Sequence, residues 1–249
     1  MAQPLQTAAL PGVSELLRNS WHQFKLRWPT YFGILIAPLV ISAIFGVLTA
    51  VEKSSGPAVI NSTPSINPAL LIILVIAMIV AYLWSSVALV VAIKEDGIGV
   101  GDAYSKAKSL ILPYLWVNIL LAVIVGVGFI LLVIPGILFM LWYAFATYIV
   151  IDQDNIRGMD ALRKSKEYMQ GNIGAVFWRG LAGGLIIFIP VIILTAIIGA
   201  LVSSVQVSSV ISNIISYAVT PLLTIFGFLL YRAVKAKKEA EPHSATPVA

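Results

Sequence analysis

The chain has 249 residues, of which 59% are hydrophobic and only 11% are charged, with a formal net charge of +5 at pH 7. Because soluble domains carry charge on about a quarter of their residues, this composition excludes a water-soluble globular protein and indicates a chain whose solvent is largely lipid. The chain has no cysteine, which excludes disulfides and thiolate metal sites. Its basic residues are dispersed between apolar runs, a pattern that fits anionic lipid headgroups rather than nucleic acid.

Charge-free runs locate the predicted spans, because about 20 apolar residues cross the hydrocarbon core as a helix. The runs at 109–151 and 180–231 are each long enough for two spans. We therefore predict an all-α polytopic membrane protein with one transmembrane domain at 1–234 and six transmembrane helices in three hairpins. A disordered basic and polar cytoplasmic tail follows at 235–249. The spans are predicted at about 31–51, 69–93, 110–131, 134–152, 180–202 and 211–231.

The positions of the basic residues predict the orientation of the chain. Four segments of the chain lie on one side of the membrane: the one before span one, the two loops after spans two and four, and the one after span six. They contain all but one of the 16 Lys and Arg residues. The exception is Lys53, in the first loop on the other side. Because basic residues are retained on the cytoplasmic side of a membrane, both termini are predicted to be cytoplasmic.

An internal repeat is visible in the loops once the spans are assigned. At an offset of 58 residues, DGIGVGDAYSKAK at 96–108 overlays DNIRGMDALRKSK at 154–166, and each copy places an Asp four residues before a Lys. GVSELLRNSW at 12–21 is a weaker third copy. We therefore predict three amphipathic helices on the cytoplasmic membrane surface, one before each hairpin. In the last copy the apolar face consists of Ile156, Met159, Leu162 and Met169.

A proline and a glycine interrupt the apolar run in LLVIPGILF, at 131–139. A single helix over the whole run of 109–151 would be about twice as long as the hydrocarbon core is thick. Pro135 suits the first turn of a helix, where its missing N–H has no cost, and Gly136 allows a neighbouring helix to approach closely. The stretch is therefore predicted to be the outer tip of the middle hairpin and the start of span four.

Small residues and prolines within the spans predict helix packing and helix bending. Gly180 and Gly184 give span five a small-xxx-small face, whose usual meaning is close helix–helix contact. Pro38, Pro190 and Pro221 lie inside spans one, five and six and are expected to kink them.

Residues able to carry out catalysis are nearly absent from this sequence. The charge-free runs lack the ionisable groups that ion-coupled transport usually requires. The two histidines, His22 and His243, are too few for a zinc site or a hydrolytic triad. Asp152 and Asp154 are the only candidates for a metal-dependent enzyme acting on lipid at the cytoplasmic face. We predict no catalytic residue, no cofactor and no metal site, and a protein that is not an enzyme.

Two groups of residues are candidates for binding. Polar and aromatic side chains within the spans either line a neutral cavity or form hydrogen bonds between helices, and the cavity would be bounded by Tyr82, Trp84, Asn118 and Trp142. Basic side chains that flank the spans are predicted to contact anionic lipid headgroups, and these are Arg18, Lys106, Lys108, Arg157, Arg163, Lys164, Lys166 and Arg179.

The segment 132–172 contains a series of motifs that occur together elsewhere. They are Ile134-Pro135-Gly136, Trp142, Asp152 or Asp154, Gly158, the segment from Ala161 to Ser165, and Gly171-Asn172. The series resembles a pattern in poorly characterised bacterial polytopic membrane proteins, including YciC-like proteins and the membrane domain attached to some glycerophosphoryl diester phosphodiesterases. The resemblance implies a bacterial inner-membrane location and brings no active site, because the phosphodiesterase chemistry of such proteins belongs to a separate soluble domain.

Uncharged spans combined with basic surface segments favour a membrane-organising or accessory protein that engages membrane lipids with anionic headgroups, and a cytoplasmic protein partner. The alternative is a permease or lipid transporter with a neutral intramembrane cavity. An enzyme acting on lipid ranks third.

Overall fold

The computed structural model describes residues 10–53, 67–153, 155–202 and 204–240, with the side chains of 46–53, 68, 205, 206 and 209 excepted. These residues form eight α-helices and no strand. The helices are α1 (Val13–Lys53), α2 (Pro68–Lys94), α3 (Val100–Leu131), α4 (Val133–Trp142), α5 (Ala146–Asp152), α6 (Met159–Met169), α7 (Ile173–Leu201) and α8 (Val205–Ala240).

Six helical segments of the described chain are long and apolar enough to cross a membrane. Three of them belong to α1, α2 and α3, one combines α4 with α5, and two belong to α7 and α8. Large apolar side chains cover their outer surfaces, as expected where lipid rather than water is the solvent. The predicted class, an all-α multi-pass membrane protein with six spans, is confirmed.

The chain divides into two compact units, which we call the first and second units. The first contains Met1–Leu26, Leu112–Ile186 and Leu222–Ala249. Its largest fully buried side chains include Tyr168, Tyr231 and Phe228. The second contains Arg27–Ile111 and Ile187–Pro221, and its core includes Tyr31, Ile34 and Leu89.

The three predicted surface helices differ from one another in the structure. In α1 the predicted segment is set off from the span by a non-helical residue, Arg27, with φ −132° and ψ 21°. In α3 the segment at 100–108 continues into the span as one helix. Only α6 is a separate helix. Among the described spans, a separate short helix therefore comes directly before α7 alone.

The apolar face of α6 is buried against protein rather than lipid. Leu162 is 1% exposed and Met169 is 0% exposed, because α6 packs on α4 and α5 within the first unit. Met159 is half-exposed and Ile156 is partly buried. The prediction that this stripe faces the membrane is therefore wrong for Leu162 and Met169, since the helix pattern alone does not distinguish a lipid surface from a protein surface.

The turn between α3 and α4 has the close approach predicted from its glycine. Only Leu132 separates the two helices, and Pro135 is the third residue of α4. A Cβ added to Gly128 of α3 would lie 3.0 Å from the Cα of Gly136 in α4 and 2.7 Å from the ring of Phe139. The missing side chain of Gly128 therefore permits the close approach of the two helices.

Span four is broken rather than continuous. The helix α4 ends at Trp142, a turn occupies 143–145, and α5 begins at Ala146. The predicted single helix over 134–152 is therefore two helices. The turn contains neither proline nor glycine, so the usual local causes of a break are absent.

The last two spans also depart from their predicted bounds and contacts. α7 begins at Ile173, seven residues before the predicted start, and α8 continues to Ala240, so residues 235–240 of the predicted disordered tail are helical. A Cβ added to Gly183 would overlap the ring of Phe226, whereas one at Gly180 or Gly184 would meet nothing within 4 Å. Among the described residues, the close contact of α7 is thus made by Gly183 and not by the predicted small-xxx-small face.

Candidate functional site

Most of the residues predicted to contact lipid headgroups are exposed. Arg18 lies on the first segment of α1, and Arg157 precedes α6. Lys106 and Lys108 are exposed on α3, where Lys106 forms an ion pair with Glu95. These side chains are accessible to anionic groups outside the protein.

The three cations of α6 all have partners on the protein, but they differ in how far they are exposed. The Arg163 side chain is 79% exposed and lies 3.7 Å from Asp160. Lys164 forms an ion pair with Glu167 at 3.0 Å. The Lys166 ammonium lies 4.4 Å from the ring centroid of Trp142, a cation–π contact. Only Arg163 of the three projects mainly into solvent, so α6 offers fewer available charges than its sequence suggests.

Arg179 holds the beginning of the described chain. Its guanidinium donates hydrogen bonds to the carbonyl oxygens of Pro11 at 2.9 Å, Leu10 at 3.1 Å and Ala175 at 3.1 Å. Each of the three guanidinium nitrogens therefore donates to a different carbonyl of the same unit. Its position indicates a structural role for a residue that the sequence had grouped with the headgroup contacts.

The first segment of α1 combines exposed cations with an exposed tryptophan and a partly buried phenylalanine. Trp21 is 50% exposed and stacks on Phe24, with ring centroids 5.6 Å apart. The Lys25 ammonium lies 5.9 Å from the Trp21 ring, and Arg18 is exposed one turn earlier. Leu16 is buried on the opposite side of the segment. Amphipathic rings beside basic side chains are the composition of a segment at a membrane–water interface.

A polar network behind α6 joins the ends of α5 and α8. Lys235 Nζ lies 2.7 Å from Asp152 Oδ2, and the Tyr231 hydroxyl donates to the same oxygen at 2.9 Å. The side chain of Asp152 is 12% exposed and that of Lys235 is 25% exposed. Asp152 was a metal candidate in the sequence, and the structure gives its carboxylate a lysine and a tyrosine instead.

Gln153 links two tyrosines of this network. Its amide nitrogen donates to the hydroxyls of Tyr168 at 3.2 Å and Tyr231 at 3.0 Å. The Tyr168 hydroxyl in turn donates to Glu239 at 3.3 Å. Burial raises the pKa of Tyr168, and the Glu239 carboxylate adds to this rise against the opposing effect of the Gln153 hydrogen bond. The phenol therefore remains protonated at neutral pH and able to donate.

A second bond ties the end of α8 to the start of α7. Lys237 Nζ donates to Asn172 Oδ1 at 2.8 Å, and Asn172 Nδ2 donates to the carbonyl of Tyr168. Asn172 is 2% exposed, so its amide needs these partners. Asn172, which belongs to the segment that resembles other membrane proteins, thus links α8 to the end of α6.

The second unit has its own polar cluster at Arg27. The guanidinium donates to the carbonyl oxygens of Ala92 at 2.6 Å, Glu95 at 2.8 Å and Ile98 at 2.5 Å. These are carbonyls at the end of α2 and in the loop that follows, where a helix leaves acceptors without helical partners. Arg27 therefore caps α2 at the point where α1 itself is non-helical.

The residues proposed to line a neutral cavity have different partners and belong to both units. In the second unit, Tyr82 is 59% exposed and Trp84 Nε1 donates to the carbonyl of Tyr104 at 3.0 Å. In the first unit, Asn118 donates to Tyr114 of its own helix, and Trp142 lies under Lys166. Trp84, Asn118 and Trp142 thus each have a hydrogen bond or ring contact with a neighbouring residue, and Tyr82 is mainly exposed.

No metal site is found in the part of the chain that the structure describes, because it contains no group of three or more His, Cys, Asp or Glu side chains able to hold an ion. Asp154, the second acidic candidate, lies outside the described residues.

An open depression of about 400 Å³ lies on the loop after α2, beside Glu95, Asp96 and Asp102.

The sequence contained only an indirect signal for the network at Asp152. Asp152 and Lys235 are opposite charges at the same predicted membrane surface, which makes a pairing feasible without specifying it. The two residues are far apart along the chain, so their contact depends on tertiary packing.

No protein-family model matches the chain, and no curated protein or solved structure is detectably similar to it.

Proposed function

We propose that this integral membrane protein is a non-enzymatic accessory or membrane-organising protein that binds anionic lipid headgroups. The observation that supports this function is the exposed surface of the first segment of α1, where Arg18 and Lys25 flank the stacked rings of Trp21 and Phe24. Rings of this kind favour the headgroup layer, and each nearby cation contributes about 1 kcal/mol of attraction to an anionic membrane surface.

Exposed cations elsewhere extend this proposed lipid contact. Lys108, Arg157 and Arg163 are exposed in segments between spans, and the distribution of Lys and Arg assigns these segments to the same membrane side as the first segment of α1. We propose that this side is the cytoplasmic face of a bacterial inner membrane, with both termini inside. The resemblance of segment 132–172 to YciC-like membrane proteins supports this location. A cytoplasmic protein partner would meet the same surface.

The lipid contact is tested by measuring bound anionic lipid. Purified protein is reconstituted in nanodiscs of phosphatidylcholine with a minor fraction of phosphatidylglycerol, and the phosphatidylglycerol retained after re-extraction is counted by native mass spectrometry. Replacing Arg18, Arg157 and Arg163 together by Gln is expected to reduce retention. Lys53→Gln, at the one basic residue assigned to the opposite side, is the control and is expected to retain the native amount. Equal retention by both variants would contradict the proposed contact.

A permease or lipid transporter is the second candidate, and the break in span four favours it. Interrupted transmembrane helices often form the binding sites of transporters, because their free backbone groups coordinate the solute. At this break the amide of Phe145 and the carbonyl of Trp142 bond Ser165, so a solute that used these two groups would have to replace the serine hydroxyl. Flux of lipid or solute above background in proteoliposomes would favour the transporter over the accessory protein.

A further inference from the structure

The break in span four has no local cause in its sequence. Residues 142–146 read Trp-Tyr-Ala-Phe-Ala, all of which are compatible with a helix. Sharp interruptions of helices usually coincide with proline, with glycine or serine pairs, or with a group inserted into the hydrogen-bond ladder. The first two are absent between Trp142 and Ala146, and a side chain of another helix is inserted there.

The inserted group is the hydroxyl of Ser165 on α6. The Phe145 amide donates to Ser165 Oγ at 3.2 Å, and Ser165 Oγ donates to the carbonyl of Trp142 at 2.9 Å. The amides of Ala144 and Ala146 donate hydrogen bonds to the carbonyls three residues earlier, those of Leu141 and Tyr143, instead of four residues earlier as in an α-helix. One hydroxyl therefore takes the place of two helical partners, since it accepts from the amide and donates to the carbonyl that the turn leaves free.

The hydroxyl reaches the break because α6 is docked there. Ser165 is 0% exposed, as is Ala161 one turn earlier, and both lie on the buried face of α6. On the same side the Lys166 ammonium covers the ring of Trp142. A polar backbone group left without a partner inside a membrane is strongly unfavourable. The broken form of span four is thus compatible with α6 in place and unfavourable without it.

The chain contains its own comparison for this effect. At the offset of 58 residues that aligns the two loop copies, Trp142 corresponds to Trp84 and Ser165 corresponds to Ala107. Ala107 is also fully buried, but it has no hydroxyl. The helix α2 passes through Trp84 without interruption. Where the copy has alanine the span is continuous, and where it has serine the span is broken.

We propose that Ser165 is a positioning residue that holds span four in its broken form, and that span four becomes one continuous helix when α6 withdraws. In the continuous form the Phe145 amide would return to the carbonyl of Leu141, and the Trp142 carbonyl would accept from the amide of Ala146. Both forms satisfy the backbone, so the position of α6 selects between them. A partner acting on the exposed face of α6 would thereby change the conformation of a helix inside the membrane, whatever the function of the protein.

The sequence allows the two backbone groups at the break to be observed singly by NMR. Trp142-Tyr143 is the only Trp–Tyr step in the chain, and Ala144-Phe145 is the only Ala–Phe step. Labelling with carbonyl-¹³C tryptophan and ¹⁵N tyrosine reports the Trp142 carbonyl. Labelling with carbonyl-¹³C alanine and ¹⁵N phenylalanine reports the Phe145 amide. Each scheme yields one correlation in the full chain in nanodiscs.

Threonine and valine at position 165 form an isosteric pair that differs in the hydroxyl. Ser165→Thr is expected to keep both correlations near their native shifts, whereas Ser165→Val and Ser165→Ala are expected to move both toward α-helical values. Ala161→Leu, which keeps the hydroxyl but crowds the buried face of α6, is expected to move them in the same way. Ser109→Ala, which removes an exposed serine hydroxyl of α3, is the control and should leave both unchanged.

Three results would overturn the proposal. The first is native shifts in Ser165→Val and Ser165→Ala, which would show that the break does not need the hydroxyl. The second is equal displacement in the Thr and Val variants, which would assign the effect to side-chain volume. The third is native shifts in Ala161→Leu, which would show that the docking of α6 does not select the conformation. If Ser165→Ala does not fold, the Thr and Val pair still decides.

Discussion

Lys235 and Asp152 form an ion pair that joins the end of span six to the end of span four, with Lys235 Nζ 2.7 Å from Asp152 Oδ2. Both side chains are largely shielded from solvent, and Tyr231 donates to the same carboxylate oxygen. Because a shielded charge loses more when its partner is removed than the pair gains by forming, each residue depends on the other. The pair fixes the helical extension of α8 against the first unit.

Replacing Lys235 by Gln is expected to destabilise the protein by about 1.5–3 kcal/mol, the usual range for a hydrogen bond to a charged group. The carboxylate of Asp152 would retain Tyr231 but lose its counter-charge. The measurement is the thermal unfolding midpoint in one detergent. Arg232→Gln removes an exposed cation three residues earlier in α8 and should leave the midpoint nearly unchanged.

The double variant tests whether the loss comes from the unpaired carboxylate. Asp152→Asn together with Lys235→Gln is expected to be more stable than Lys235→Gln alone, because no uncompensated charge remains. A double variant as unstable as the sum of the two single variants would show that the residues act independently.

Gly183 and Gly184 give a second prediction from adjacent residues of α7. Alanine at either position improves helix propensity by about 1 kcal/mol. At Gly183 the added Cβ overlaps the buried ring of Phe226, and overpacking typically costs about 1–3 kcal/mol. Gly183→Ala is therefore expected to lower the unfolding midpoint and Gly184→Ala to raise it. The reverse order would restore the small-xxx-small face of Gly180 and Gly184 as the site of helix contact.

The turn between α3 and α4 gives a third matched pair. In Gly128→Ala the new methyl group would lie 3.0 Å from the backbone of Gly136, which cannot move as a side chain can. We expect a loss of about 1–3 kcal/mol. Gly126→Ala in the same helix meets nothing within 4 Å and is expected to be neutral or slightly stabilising. Equal midpoints for the two variants would be incompatible with the observed approach of the helices.

Arg27 gives a prediction that depends on geometry rather than charge. Lysine keeps the positive charge but cannot direct donors at three separated carbonyls as the planar guanidinium does. Arg27→Lys is expected to destabilise the protein by about 2 kcal/mol, with faster amide exchange at the end of α2. Arg18→Lys, at an exposed arginine of the same helix, should change neither quantity. A silent Arg27→Lys variant would show that charge alone is sufficient.

The number and approximate positions of the spans could be predicted because they depend on length and hydropathy, which are local properties. The turn at Leu132 was predictable for the same reason, since the charge-free run of 109–151 is too long for one helix. Pro135 then marked where the second helix begins. In each case the information lay within one continuous stretch of the chain.

The break at Tyr143 and the burial of α6 could not be predicted, because neither depends on local sequence. Leu162 and Met169 form a stripe that suits a lipid surface as well as a protein surface, and only the position of α4 and α5 decides between them. Ser165 carried no signal by itself. Its role depends on the docking of α6, which places its hydroxyl at two backbone groups in another helix.

The ring of Trp142 lies under the Lys166 ammonium, and its carbonyl accepts the hydroxyl of Ser165. This tryptophan therefore has an electrostatic neighbour and a backbone partner that both come from α6. A variant in which the other five tryptophans are phenylalanine would have a single tryptophan, Trp142, which can be excited selectively at wavelengths that tyrosine does not absorb. Its emission wavelength and quenching would follow the arrival and departure of α6 in real time, without any attached dye.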